Sequence, residues 1–192
     1  MDEKNKERIK IITKERIDEE LNKILLSRKP SVGLSMLDKT GLLPLIFPEL
    51  AALKGVETKD GRGHKDIFAH TLLVVDNVAL KSDNLWLRWA ALLHDIGKLE
   101  SYSIDITPKN TVKGNVMEHI VLGTNMFLKF AEREKLDEDI TNSIAHIIVS
   151  HHGLREFGSP VLPATPEAMI VSAADDLDFK LNYWKTQIEA MG

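Results

Sequence analysis

The 192-residue chain contains no cysteine. Disulfides and thiolate metal sites are therefore excluded. Any metal must be held by histidine and carboxylate, a donor set that suits Mn, Fe, Mg, Ni, Co or Zn. A basic surplus is missing too: 25 Lys and Arg stand against 29 Asp and Glu, for a net charge of −4. No broad positive surface is available for gripping duplex DNA, although a local basic pocket could still take a nucleotide or a short strand. No apolar run approaches the length a membrane span requires. Met1 to Lys10 is charged and has no apolar stretch of the kind a secretory signal needs. The expectation is a cytoplasmic protein with no membrane partner. Strand-like alternation, internal repeats and low-complexity tracts are also absent.

What is present is helix. Hydrophobic residues make up 43% of the chain, enough for one domain with a sizeable core. Thr13 starts a helix carrying Ile17, Leu21, Ile24 and Leu25 at helical spacing and ending near Ser27. Pro30 opens a second helix, stopped by Gly41. Leu42 to Pro48 is an apolar link broken by prolines, and a short helix follows to Gly55. Lys59 to Lys65 is a charged, glycine-bearing loop. Asp66 caps a helix running to about Leu80. Ser82-Asp83-Asn84 caps the next, Leu85 to His94, whose buried face is expected to hold Trp86, Trp89, Leu92 and Leu93. Ser101 to Asn115 reads as irregular. Further helices are expected at Val116–Arg133, from Asp137 to Ser150, and from Pro166 to Glu189. The result is an all-α bundle, a single domain over 1–192, with residues 1–60 as a helical extension on a core of 61–192.

The chemistry centres on Leu93-His94-Asp95-Ile96-Gly97-Lys98. An apolar helix ends in a His-Asp pair whose imidazole and carboxylate can face one cation, and the carboxylate can bridge two. Gly97 lets the chain leave the helix. Lys98 supplies a charge suited to a phosphoryl oxygen. The alternative is an ordinary helix end whose histidine caps carbonyls. The other histidines shift the balance. Of seven, His70, His94, His119, His151 and His152 fall at helix ends or first turns. Asp175 follows the small residues Ser172-Ala173-Ala174, which let its helix approach closely. A bundle can aim such ligands from several helices into one cavity. Asp176 and Asp178 are read as solvated or salt-bridged, and Glu118 as an alternative donor to His119. His64 and His146 are read as non-ligands, with His64 placed to touch substrate.

His70, His94-Asp95 and Asp175 together resemble the HD superfamily of metal-dependent phosphohydrolases, whose pattern is H…HD…D across a helical bundle with a central metal site. The stretch from about Glu15 to Lys98 is similar to the HD portion of bacterial CCA-adding tRNA nucleotidyltransferases, through Gly41-Leu42-Leu43, Phe47-Pro48-Glu49-Leu50, Gly63-His64-Lys65-Asp66, His70-Thr71 and Arg88 to Lys98. The stretch from His151-His152-Gly153 through Gly158-Ser159-Pro160-Val161 and Thr165-Pro166-Glu167-Ala168 to Lys180 is similar to HD-domain 3′→5′ exoribonucleases. The resemblance implies one metal on His70, His94, Asp95 and Asp175. It implies a second on His119, His151 and His152, with Asp95 bridging. The family's third histidine usually sits within Gly-His-Glu; here it stands as Glu118-His119-Ile120. The residues before His70 read as helices rather than as a nucleotidyltransferase head, so nucleotide addition is not expected.

The expected activity is hydrolysis of a phosphomonoester or phosphodiester in a nucleotide, cyclic nucleotide or RNA 3′ end, using one or two divalent ions. Asp95 and Lys98 are the catalytic candidates. Arg62, His64, Lys65 and Lys98 are the candidates for binding substrate phosphates. Two other functions remain open: a di-iron oxygenase on the same ligand set, against which Lys98 argues mildly, and a non-catalytic nucleotide-binding or interaction module.

Overall fold

A computed structural model describes residues 8–59, 64–103 and 109–191. Ten helices carry the fold among the described residues. They are α1 (Lys14–Leu26), α2 (Pro30–Lys39), α3 (Leu43–Ile46), α4 (Pro48–Ala52), α5 (Ile67–Ala79), α6 (Leu85–Leu93), α7 (Lys98–Ser101), α8 (Val112–Glu134), α9 (Glu138–Ser150) and α10 (Pro166–Met191). The starts follow local capping chemistry. Asp66 Oδ1 accepts from the Ala69 amide at 2.8 Å. Asn84 accepts from the amides of Trp86 and Leu87, and Asp137 from those of Asp139 and Ile140. Each side chain satisfies N–H groups that the first turn leaves without partners.

Four features depart from the sequence reading. The charged loop is flanked by two three-residue strands, β1 (Glu57–Lys59) and β2 (His64–Asp66), paired antiparallel with Glu57 opposite Asp66. Three residues carry too little alternation to register as a strand pattern. The proline-broken link contains the single turn α3, with Pro44 in a first-turn position where its missing N–H costs nothing. On α6, Trp86 is 39% exposed, and the buried face is Leu87, Arg88, Ala90, Ala91 and Leu92. Finally, α8 begins at Val112 and breaks at Glu118, which has φ 62° and ψ 154°.

Arg88 is buried because carbonyls surround it. Its guanidinium donates to Leu25 O at 2.5 Å, Ser27 O at 2.8 Å, Ser82 O at 2.9 Å, Ala79 O at 3.2 Å and Asp83 Oδ1 at 2.9 Å. One cation thus satisfies the ends of α1 and α5 and ties both to α6. Leu25, Leu34, Leu43, Leu50 and Leu53 from the first four helices lie in the same buried cluster as Ile67, Val74, Ala91, Ile144, Ile147 and Val171. α5, α6, α9 and α10 pack around that cluster, so their ends meet in one place.

Gly97 is needed for a reason other than the one its position in the sequence suggests. Its φ is −66°, open to any residue. A Cβ there would lie 1.9 Å from His119 O and 2.3 Å from the Gly123 amide nitrogen. The turn after Asp95 therefore packs backbone to backbone against α8, bringing His119 to the His-Asp pair.

Candidate metal centre

Six side chains from five segments converge. His70 projects from the first turns of α5; His94 and Asp95 lie at the end of α6; His119 follows the break in α8; His151 ends α9; and Asp175 sits on α10. All but Asp175 are buried, and the Asp175 side chain is 16% exposed.

One group of atoms is tight. His70 Nε2 lies 2.8 Å from Asp175 Oδ1, 3.2 Å from His94 Nε2 and 3.6 Å from Asp95 Oδ2. His94 Nε2 lies 3.5 Å from Asp95 Oδ2 and 3.8 Å from Asp175 Oδ1. Bonds of about 2.0–2.2 Å to a divalent ion place neighbouring ligand atoms about 3 Å apart. This spacing fits one ion. The second group uses the other oxygen of the same carboxylate: Asp95 Oδ1 is 3.5 Å from His119 Nε2 and 3.7 Å from His151 Nε2. His152 joins it, its ring centroid 4.9 Å from that of His119 and 4.5 Å from that of His151.

The backbone fixes which nitrogen faces inward. A carbonyl oxygen can only accept, so each ring nitrogen bonded to one carries the hydrogen. His94 Nδ1 donates to Ala91 O and His151 Nδ1 to Ile148 O, both at 2.7 Å, and His152 Nδ1 donates to Phe157 O at 2.6 Å. With the hydrogen on Nδ1, it is Nε2 of each ring that faces the centre. His70 Nδ1 is instead bonded to Asp178 Oδ2 at 2.5 Å. Asp178 is buried and holds the His70 ring by its far nitrogen, so of the two readings, solvated or salt-bridged, the pairing with His70 bears out the second. It stands three residues from Asp175, hence on the same helical face, and that spacing was the available signal.

The donor set has the chemistry of a cation site. Asp95 Oδ1, His119 Nε2 and His151 Nε2 are buried and make no hydrogen bond, although such atoms normally find partners. Burial works against the Asp95 carboxylate, but Lys98 and the neighbouring histidines outweigh it and hold Asp95 well below the usual carboxylate range. Asp175 is lowered as well: burial opposes it, while the hydrogen bond from His70 and the nearby imidazoles prevail. Burial pushes His94 down to about 4. Burial, then Lys98, lowers His119 well below its ordinary value. Burial and His151 lower His152. For His70, burial opposes protonation, but the carboxylates of Asp175, Asp178 and Asp95 override it and raise the imidazole. Neutral nitrogens and ionised carboxylates are the forms that bind a metal.

The remaining sequence candidates lie as follows. Lys98 is close, its Nζ 2.7 Å from Asp95 Oδ2, so its charge is engaged with the centre itself. Arg62 lies outside the described residues. His64 and Lys65 belong to β2, and their side chains are likewise outside what is described. His146 stands apart, its Nε2 accepting from the Ala164 amide at 3.0 Å. A depression of about 310 Å³ between α8 and α9 is lined by Leu128, Glu132, Lys135 and Glu138 and contains none of these groups.

Residues 67–180 match the HD domain family. Residues 3–54 match a family described as the probable RNA and SrmB-binding site of polymerase A. The chain is 37% identical over 98 residues to the 3′-5′ exoribonuclease YhaM of Bacillus subtilis (strain 168), a match covering 51% of this chain and 31% of the relative. The YhaM protein of Bacillus licheniformis matches with the same identity and coverage. The matched stretch thus spans about a third of these curated relatives. Among the described residues no helix is long and apolar enough to cross a membrane.

Proposed function

The chain belongs to the HD-domain family, and from that premise we propose that it is a metal-dependent phosphohydrolase acting on a phosphodiester or phosphomonoester at an RNA 3′ end. The observation that carries this reading is the convergence of Asp95 Oδ1, His119 Nε2 and His151 Nε2, three buried acceptors without a hydrogen bond, on the far side of a carboxylate whose other oxygen faces His70 and His94. His70, His94, Asp95 and Asp175 would hold one divalent ion. His119, His151 and His152, with Asp95 shared, would hold a second. Bound there, such ions lower the pKa of water and polarise phosphoryl oxygens.

The protein's own groups do the rest. Asp95 is the shared acceptor, kept ionised by Lys98. Lys98, already desolvated, presents its charge where a phosphoryl group would gather negative charge. Asp178 holds His70 in place. Arg62, His64 and Lys65 are proposed to meet the substrate's phosphates from the segment before α5. The exoribonuclease relatives and the polymerase-type RNA-binding match over 3–54 support RNA as the polymer. That match also supports treating residues 1–60 as an extension that handles substrate while 61–192 carries the chemistry.

The test is metal analysis of purified protein together with turnover of a 3′-labelled oligoribonucleotide and a chromogenic phosphodiester. Activity with Mn, Ni, Co or Mg is expected, and should be lost with chelator and with Asp95→Ala. Turnover retained by that variant, or protein that takes up no divalent ion, defeats the proposal.

A further inference from the structure

Among the donors of the centre, His152 and Asp175 alone are part-exposed. A substrate therefore approaches past these two. The segment that leaves α9 touches the ring of one and the helix of the other. Gly153, at φ 78°, packs so closely on α10 that a Cβ there would lie 2.8 Å from Ser172 Oγ, one turn before Asp175. Four residues on, Phe157 O accepts from His152 Nδ1 at 2.6 Å. The turn is also closed on itself. Phe157 N donates to Leu154 O at 3.1 Å, Gly158 N to Arg155 O at 3.0 Å and Ser159 N to Leu154 O at 3.3 Å. Phe157 is nonetheless 59% exposed, and Leu154, Val161 and Leu162 on the same segment are 38% to 49% exposed. An aromatic side chain held this firmly and left to water forgoes the burial it could gain elsewhere, and an apolar patch of this kind marks a contact surface. The charges of Arg155 and Glu156 cancel, so what the turn offers is a ring and not an attraction for phosphate.

We propose that Phe157 stacks on the nucleobase of the terminal nucleotide while that nucleotide's phosphate occupies the centre, a role that rests on the RNA-end hydrolase reading above. The carbonyl bond to His152 puts the Phe157 ring one side chain away from a donor of the second group. In a nucleotide, the sugar alone separates base from phosphate, so the two reaches match. Single-stranded RNA presents unstacked bases to aromatic side chains. Every base has a π-face, so stacking grips the terminal unit without reading its sequence. The ring also sets a requirement: a sugar phosphate that lacks a base has nothing to lay against it.

The test is equilibrium binding of adenosine 5′-monophosphate and of ribose 5-phosphate to the full chain with Mn present, by isothermal titration calorimetry. The wild type should hold the nucleotide more tightly, by roughly 5- to 150-fold. Phe157→Ala should bring that ratio close to one, and Phe157→Trp should keep it. Both variants should still take up Mn, because the bond to His152 comes from a backbone carbonyl that any residue supplies. A wild type that binds the two ligands alike, or binds neither, overturns the proposal. So does a base preference that survives Phe157→Ala, or a loss of Mn uptake in that variant, which would make the ring a structural prop. Turnover of an oligoribonucleotide bears on the hydrolase reading separately. Turnover without a base preference removes the stack alone, and a base preference without turnover removes hydrolysis while keeping Phe157 as a base-binding residue.

Discussion

At the scale of single residues, the protein spends groups on orienting its ligands. Asp178 is buried and meets His70 on the nitrogen that faces away from the centre. Asp178→Asn keeps the size of the side chain but removes its charge. We expect divalent-ion affinity to fall about 10- to 100-fold with little change in fold, measured by isothermal titration. Unchanged affinity would remove Asp178 from the site. Glu118 is the opposite case, a residue under strain. Its backbone occupies a region that glycine enters freely and other residues avoid, at a cost of order 1–3 kcal/mol. Glu118→Gly should raise stability by about 1 kcal/mol or more in denaturant unfolding, and a loss would show that the Glu118 side chain compensates. Asp178 does not stand out in the sequence, where it looks like one of several acidic residues on a helix. Glu118 does leave a mark: it stands where the family pattern carries glycine, the residue suited to its positive φ. The His-Asp pair alone also fits a capped helix end, and His94 does donate to the Ala91 carbonyl; what made the pair a candidate was the company of the other helix-end histidines and Asp175.

At the scale of elements, capping made the helices readable. Asp66, Asn84 and Asp137 act within three residues of themselves, and short-range chemistry is what a sequence displays. The packing of α6 was not readable, because Arg88 is buried by carbonyls from α1 and α5 that are remote in sequence. Replacing it with alanine leaves those carbonyls without a partner, and should cost about 3–5 kcal/mol in thermal or denaturant unfolding; a loss below 1 kcal/mol would mean water replaces the guanidinium. The contact of the α6–α7 turn with α8 is similar. Gly97→Ala puts a methyl group into His119 O, so both stability and metal content should drop, whereas Gly123→Ala, with its nearest contact at 3.0 Å, should be milder. Equal effects would show that the two backbones move apart freely.

At the scale of the whole molecule, protonation couples to folding. In the folded protein His94 is lowered to about 4, and His119 and His152 are lowered too. A lowered histidine is neutral when folded and takes up a proton when unfolded, so its contribution is present above its ordinary value of 6.5 and is lost as pH falls toward the folded value. His70 is raised and opposes this trend, but it is one group against three. The Tm of chelated protein should therefore fall between pH 7 and pH 5, and a rise on acidification would contradict the assignment. Divalent ions should raise the Tm at neutral pH, because they bind only the folded chain. The bundle as a class was legible from the helical spacing, but the meeting of its ends was not, since that depends on which faces pack. The span of the centre along the chain has one more consequence. Its donors run from position 70 to position 175, so a polypeptide still emerging from the ribosome has no complete centre until α10 has been made. A nascent chain or aborted fragment that stops short of that helix cannot assemble the centre.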